Sequence, residues 1–502
     1  MFGLKRIIKY LTIAAAFLVI LIPGNCRAQA FPKSPQPWRN EYNITLDDFH
    51  FTHPLTVINQ NDLSRVKQRI QENIEPQVSA FQDLLIEAEL QLDFEPDAPL
   101  EMNIMGGYES NSNLIEMRAW LWRNGHAAYT CALAYAYTDE SKYAEKARNI
   151  IMDWANTYTT FTGLDRGLQL GSWFSQMLYA ADLIWNYAAF TPDDKAQLGK
   201  WIRNKWLDEG AVLNVMRTRD DNWKDAGILG VMTASVILED SLLLKEALIQ
   251  LESYFFTRTD SYVEYPGPGW KIKKDQKGVY LPREVIRNEG SSGITYTAYA
   301  LTTMVQCLEI ARYAGFDYWY DSTEEKATIK DVIEQYYAWD IGNENFPWHS
   351  SPQKMTKRRN CYELANTRFV LDKEMQIWIR DNRPLSGREG DEWSTLNKGA
   401  TIESTLGDIQ DEIEKPGFSL DQNCPNPFNH ATEIIFRIPE RNHTSLVVNN
   451  SMGQPIQKLA DEEMNPGSCT ISFIASHLPE GLYFYKLVSG PFSQVRKMVI
   501  IP

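Results

Sequence analysis

From about residue 62 to residue 385, apolar side chains recur three or four positions apart, the spacing of one helix face. Tyr143, Ala147, Ile150, Ile151 and Trp154 follow Ser141, which reads as the N-cap of their helix. Thr191-Pro192-Asp193-Asp194 opens another helix with a cap, a proline in the first turn and two acids at the positive helix end. Leu198, Trp201, Ile202 and Trp206 form its stripe. The same spacing predicts helices near 62–92, interrupted at Pro76, and over 114–137, 168–189, 223–238, 240–257, 296–314, 322–338 and 360–380. No stretch in this region shows sustained strand alternation. Helix after helix, joined by short Gly, Asp or Pro turns, predicts a mainly α domain at 62–385. Its helical hairpins are expected to form an incomplete α/α toroid. A solenoid of helix pairs is the competing architecture. It should carry a fixed-period repeat, and none is present.

The pattern then changes twice. Residues 386–417 are acidic with Gly and Pro and read as a linker, while 31–61 read as a lead segment. From Phe418 onward short alternating runs appear: Thr432–Ile438, Ser445–Val448, Cys469–Phe473 and Leu482–Val488. With turn residues between them, they predict a small all-β sandwich over 418–502. This tail resembles the type A C-terminal sorting domain of the type IX secretion system. The resemblance rests on Gln422-Asn-Cys-Pro-Asn-Pro-Phe-Asn429, Ser451-Met-Gly-Gln-Pro-Ile, Leu478-Pro-Glu-Gly-Leu-Tyr-Phe-Tyr-Lys486 and the terminal Arg496-Lys-Met-Val-Ile-Ile. It implies that the type IX machinery is a partner through 418–502, and that the chain is secreted or held at the cell surface. A carbohydrate-binding sandwich is the other reading of these strands.

The opposite end fits export. Lys5, Arg6 and Lys9 precede an apolar run from Leu11 to Ile22, then Pro23-Gly24 and the small residues Ala28-Gln29-Ala30. This is the layout of a signal peptide over 1–30. The apolar run is shorter than the roughly 20 residues needed to span a bilayer, so no membrane span is expected in the mature chain. A lipoprotein attachment at Cys26 is the weaker alternative. Removing 1–30 takes away four positive charges and no negative one, so the formal charge goes from −15 to −19. Such a chain lacks the basic footprint of a nucleic-acid binder. A polyanionic substrate would have to be met by a local cluster of Arg and Lys. Five cysteines remain, odd in number and widely spaced, with no C-x-x-C pair. Cys131, Cys307 and Cys361 read as buried thiols, and a Cys424–Cys469 disulfide is conceivable.

Two polar segments interrupt the helical pattern: Arg217-Thr-Arg-Asp-Asp-Asn-Trp-Lys224 and Arg287-Asn-Glu-Gly-Ser-Ser-Gly-Ile-Thr-Tyr296. Each runs straight into a long apolar stretch, so an amide (Asn222), a guanidinium (Arg287) and a phenol (Tyr296) arrive at helix entrances. Cleaving a uronate polymer by elimination needs these groups. The proton on C5 is only weakly acidic while the adjacent carboxylate is ionised, and hydrogen-bond donors or a cation on that carboxylate let charge spread into it. The planar fork of an arginine suits this task. A base must take the proton and an acid must protonate the departing O4. A tyrosine fills both posts if nearby positive charge lowers its pKa from about 10.

Here the chain resembles the alginate lyase superfamily of helical-toroid polysaccharide lyases. The match is diffuse over residues 75–370, including Tyr129–Tyr158 with its Tyr143–Ala147 turn. It is specific at Asp221-Asn222-Trp223 and at Glu284-Val-Ile-Arg287 through Gly293-Ile-Thr-Tyr296-Thr-Ala-Tyr-Ala-Leu301. The resemblance implies that Asn222 and Arg287 neutralise the substrate carboxylate and that Tyr296 transfers the protons. No cofactor and no metal are implied, and the partner is an acidic polysaccharide, alginate or a related uronate polymer. One departure stands out, because these lyases carry His after the Asn and this chain carries Trp223. If that His is a second base, the substitution restricts the enzyme to one sugar epimer or turns it to a different uronate; otherwise Trp223 provides a ring for sugar stacking.

Each of the three also has a plain reading: Asn222 as a helix cap, Arg287 as a partner of Glu284 or Glu289, Tyr296 as core. Further substrate-binding candidates are Arg219, Arg166, Trp173, His126 and His349. Gln169 and the basic stretch Lys354, Lys357, Arg358 and Arg359 belong with them. There is no H-E-x-x-H, nucleophile elbow, Walker loop or dinucleotide fingerprint. Two alternatives keep the toroid: a glycoside hydrolase with Asp221 and Glu284 as its acids, and a non-catalytic surface glycan binder.

Overall fold

The structure is a computed structural model. It describes residues 44–502 apart from 45, 47–48, 107–111, 256–271, 324, 355–357, 403–417, 422, 424, 427, 440, 451–454, 476–477, 480, 491 and 502. The expected signal peptide and Cys26 lie outside the described residues. The helical part opens with α1 (Gln60–Gln71), α2 (Gln77–Gln91), α3 (Ser112–Thr138) and α4 (Ser141–Thr157). It continues with α5 (Arg166–Gly171), α6 (Ser175–Leu183), α7 (Pro192–Trp201), α8 (Val212–Thr218), α9 (Asn222–Ile237) and α10 (Ser241–Glu252). The last third carries α11 (Pro282–Val285), α12 (Gly293–Tyr313), α13 (Ile329–Ile341), α14 (Asn360–Arg368), α15 (Lys373–Asp381) and α16 (Ser394–Lys398).

These helices form two layers of an incomplete α/α toroid. α3, α6, α9, α12 and α14 pack one against the next as the inner layer. Outer helices α4, α7, α10, α13 and α15 connect them in hairpins. The layers explain the sequence pattern. All nine residues of α6 are buried, as is every residue of α9 except Trp223. A helix covered on all sides carries no amphipathic stripe. Outer helix α4 keeps the stripe read from the sequence, with Tyr143, Ala147, Ile150, Ile151 and Trp154 all buried. Close packing near the entrance of α9 depends on small residues. A Cβ on Gly171 would lie 2.4 Å from the Ala226 carbonyl oxygen, and one on Gly227 would lie 2.4 Å from the Met216 nitrogen. The backbones of α5, α8 and α9 therefore meet directly.

Several boundaries differ from expectation. The 168–189 helix breaks at Ser172–Phe174 into α5 and α6, and 360–380 breaks into α14 and α15. The stripe after Thr191 stays helical, but the i→i+4 pattern gives way to a π-helix at Ile202–Glu209. Thr191 is the expected N-cap and forms a capping box with Asp194, whereas Ser141 is the first helical residue and Glu140 occupies the cap. Short strands that alternation is too brief to reveal also occur: β1 (Glu101–Asn103) beside β2 (Thr160–Thr162), and the hairpin β3 (Lys273–Asp275)–β4 (Gly278–Tyr280).

The largest correction concerns 386–417. Residues 386–402 are not a linker but part of the helical domain, with Glu389, Asp391, Asn397 and Lys398 all buried. α16 lies between α14 and α2. Lys398 inserts beside Glu309 and Asp62, and Asp391 accepts the Tyr129 hydroxyl at 2.7 Å. The polar composition that reads as solvated belongs to buried, paired groups. Residues 403–417 lie outside the described residues.

The C-terminal part is the expected sandwich. One sheet is β5 (Ser419–Leu420), β6 (Ala431–Ile438) and β9 (Gly467–Ile474), in the order β5-β6-β9. The other is β11 (Phe492–Ile500), β10 (Gly481–Ser489), β7 (Asn442–Asn450) and β8 (Pro455–Met464), in the order β11-β10-β7-β8. Both are antiparallel. The alternation places Ile434, Phe436, Leu446, Val448, Phe473, Tyr485 and Leu487 in one core. Cys131, Cys307 and Cys361 are buried thiols; Cys469 is also a free thiol, and Cys424 lies outside the described residues.

Candidate active site

The site gathers where the inner helices begin. Asp221 caps α9, its Oδ1 accepting the Trp223 backbone N–H at 3.2 Å, so Asn222 is the first helical residue. Arg287 lies just past the short helix α11, in a turn whose residues Asn288, Glu289 and Gly290 all have positive φ. Gly290 is required there: its φ is +87° and a Cβ would sit 2.7 Å from the Trp348 Cβ. The turn delivers the chain into α12, with Tyr296 in the first turn.

One guanidinium joins these segments. Arg287 sits 4.2 Å from the centroid of the Tyr296 ring, and its Nη1 donates to Asp221 Oδ2 at 3.1 Å. Asp221 also receives Arg219 at 2.6 Å, and Arg219 lies 4.6 Å over the Trp223 ring. Asn222 donates its backbone N–H to Glu284 Oε1 at 2.8 Å. Its amide oxygen is buried and has no hydrogen-bond partner among the described residues. A buried polar atom left unpaired is costly; this one is an acceptor and calls for a donor, so a carboxylate ligand would be met by the N–H groups of the same amide and not by its oxygen. The N-termini of α9 and α12 lie side by side against the same guanidinium, and both favour negative charge.

The electrostatics follow from burial. Desolvation opposes the charge on Arg287, but the Glu284 and Asp221 carboxyls outweigh it and raise its pKa. Burial, reinforced by Asp221, pushes Glu284 up to about 8. Asp225, one turn into α9, is held well above the usual carboxylate range by burial and by Glu284 and Asp221. Lys224 points away, to the Met216 carbonyl and Gln250, and burial pushes it down to about 7.

A second tier extends from Tyr296. Tyr299, one turn on, lies 6.1 Å from it ring to ring, and Arg358 stacks 3.6 Å over Tyr299. Arg358 is buried and paired with Glu389. Arg358 and Arg118 each lie 5.9 Å from the half-buried Trp173 ring, and Arg118 donates to Gln169 at 3.0 Å. Trp173 and Gln169 therefore share one wall with two arginines. Tyr299 is not among the sequence candidates, although the Tyr-Thr-Ala-Tyr spacing at 296–299 puts it one turn from Tyr296, and nothing local marks Glu389.

Other candidates sit elsewhere. Arg166 donates to the Glu209 and Gly163 carbonyls at 2.7 and 2.6 Å and ties down the start of α5. His349 accepts the Ser351 N–H at 3.1 Å, while its neighbour Trp348 braces the Gly290 turn. His126 lies between Glu392 (2.6 Å) and Glu87 (3.1 Å). It lines an open pocket of about 520 Å³ with Trp122 and Arg388, apart from Asn222, Arg287 and Tyr296. Arg359 pairs with Asp340 at 2.7 Å, so the two arginines of the basic stretch are engaged within the protein, whereas Lys354 is exposed. Lys357 lies outside the described residues.

Comparison with solved structures places this fold. Alginate lyase A1-III from Sphingomonas species A1 is 15% identical over 71% of this chain and 99% of its own, with a TM-score of 0.52. A tyrosine-to-phenylalanine variant of alginate lyase A1-III complexed with a tetrasaccharide is 14% identical over 72% and 100%, with a TM-score of 0.54. An alginate lyase from Bacteroides ovatus is 18% identical over 63% and 92%, with a TM-score of 0.47. No curated protein sequence matches. The fold is that of the helical-toroid polysaccharide lyases, and the chain is a polysaccharide lyase. The alginate lyase family model matches residues 85–346, just over half of the chain, which belongs to that family. A secretion system C-terminal sorting domain matches 424–501, so the protein is exported. Among the described residues, no helix is long and apolar enough to cross a membrane.

Proposed function

We propose that this lyase cleaves a uronate-containing polysaccharide, alginate or a related polymer, by metal-free β-elimination. Arg287 and the Asn222 amide neutralise the carboxylate of the sugar being cleaved. The Tyr296 phenolate takes the C5 proton, the C5–H electron pair forms the C4–C5 double bond, and the C4–O4 bond breaks. The phenol then returns its proton to O4. Trp223 with Arg219, and Trp173 with Arg118, offer ring and cation pairs to neighbouring sugars, as an acidic glycan requires. The signal peptide, the type IX route and loss of the tail at the surface complete the reading.

One observation carries it: a single guanidinium touches both the Tyr296 ring and the cap of the helix that Asn222 begins. The hydrolase alternative fares worse, because its two acids are already engaged by other partners. Asp221 is 4% exposed and held by Arg219 and Arg287, while Glu284 is 2% exposed and held by the Asn222 N–H. Incubation of the full chain with alginate blocks and other acidic glycans tests the reading. An eliminase generates unsaturated ends that absorb in the near ultraviolet, in step with new reducing ends. New reducing ends without that absorbance would mean hydrolysis; neither signal on any uronate polymer would leave only a binder.

A further inference from the structure

Glu284 transfers no proton in the scheme above, yet it is hydrogen-bonded to one of the two neutralising residues and acts electrostatically on the other. It lies in α11, three residues before Arg287, and its Oε1 accepts the Asn222 backbone N–H across 62 positions of sequence. Asp221, adjacent to Asn222, accepts from Arg287. The contacts run from Asp221 through Asn222 to Glu284, and along the chain to Arg287, which returns to Asp221. This circuit locks the start of α9 to the α11 turn. Glu284 Oε2 and Asn222 Oδ1 are both buried without a hydrogen-bond partner among the described residues.

We propose that Glu284 is the positioning residue of the neutralising pair, holding the Asn222 amide and the Arg287 guanidinium at the spacing that a uronate carboxylate requires. The inference rests on the elimination reading and adds a residue acting through the other two.

The groups around the carboxyl decide what charge it can carry. Asp221 and Asp225 face it from α9, Arg283 and Arg287 from its own segment, and Tyr296 of α12 meets it only through Arg287. Arg283 is already matched by Asp220, at 2.9 Å. With Glu284 neutral, Arg219 and Arg287 face the charge of Asp221, and the excess positive charge remains for the substrate. Ionising Glu284 cancels it. The proton also makes the otherwise unpartnered Oε2 a donor.

Steady-state kinetics of the full chain on a uronate polymer, from pH 6 to 9.5, compare the wild type with E284Q and E284A. Glutamine keeps the acceptor for the Asn222 N–H and places a donor where the acid carries its hydroxyl. Wild-type kcat/KM falls roughly tenfold above pH 8, mostly through KM, as the carboxyl ionises. E284Q stays within about threefold of wild type at pH 7 and lacks that fall in KM, whereas E284A loses about 30-fold or more, chiefly in kcat. Superimposable alkaline limbs for wild type and E284Q overturn the proposal, as does E284A with wild-type kcat. Should E284A fail to fold, the E284Q profile decides alone. A wild type that forms no unsaturated product from any uronate polymer would defeat the elimination reading instead, so the two failures are distinguishable.

Discussion

Tyr296→Phe separates chemistry from structure more cleanly than any other substitution in the site. The ring stays, and with it the stack under Arg287 at 4.2 Å, a contact of about 0.5–1 kcal/mol at a partly exposed position. What is lost is one hydroxyl and at most one hydrogen bond, about 1 kcal/mol of stability. Proton transfer by a positioned side chain contributes about 10²–10⁴-fold. A phenol serving as both base and acid should therefore cost at least ~10³-fold in kcat, or about 4 kcal/mol of barrier. The prediction is a melting temperature close to wild type, polymer affinity within about threefold by calorimetry, and near-total loss of unsaturated product. A kcat less than about tenfold below wild type would remove Tyr296 from the proton path. Lost affinity with intact turnover would make it a sugar contact.

Arg287→Lys keeps the charge but gives up the planar fork that reaches Asp221 and covers Tyr296. It should lower kcat/KM by about 100-fold, near 2.7 kcal/mol, with folding retained, as read by the same absorbance assay. Gly290→Ala forces a side chain into a φ of +87° and against Trp348. Backbone strain of about 1–2 kcal/mol plus overpacking of similar size predicts a loss of about 3 kcal/mol in denaturant unfolding. His126→Ala tests the other pocket. Burial opposes protonation of His126, but Glu392 and Glu87 overcome it and raise its pKa. The stabilisation is then fully present below the unfolded value near 6.5 and is lost as pH rises through the raised one. The variant should be destabilised by about 2 kcal/mol at pH 6 and clearly less at pH 9, measured by thermal melts. A pH-independent difference would mean that the ring only packs.

The helical repeat and the sandwich were legible because their signals are local. The buried stripe of α4, the Thr191 capping box and the strict alternation of β6 each lie within a dozen residues of sequence. Asn222 and Tyr296 at the helix entrances, and Arg287 in the turn before α12, stood out for the same reason, since polar segments that run into continuous apolar stretches are visible locally. Residues 386–402 misled because their polarity is satisfied far away in sequence. Lys398 finds Glu309, Asn397 finds Tyr129, and Glu389 finds Arg358. Composition cannot distinguish a solvated charge from a buried, paired one. The break at Ser172–Phe174 was hidden for a related reason, because α6, buried on every side, keeps an apolar sequence up to it, and the break between Arg368 and Lys373 was hidden because Phe369 and Leu371 keep buried apolar positions within it.

That contrast bears on how the site works. Asn222 and Tyr296 are displayed by helix starts and Arg287 by the turn between α11 and α12, but their spacing is set by residues whose partners are distant: Glu284 to Asn222, Arg287 to Asp221, and Trp348 to Gly290. A substitution at a helix entrance removes a chemical group. A substitution at one of the long-range ties instead leaves every group present and shifts their separation, which a positioned reaction tolerates poorly. The two kinds of variant should therefore differ in rescue. An isosteric replacement such as E284Q restores rate at a tie, whereas no replacement lacking an ionisable hydroxyl restores it at Tyr296. If Tyr296→Phe and E284Q showed equal losses at pH 7, the division between reacting groups and the ties that hold them would fail.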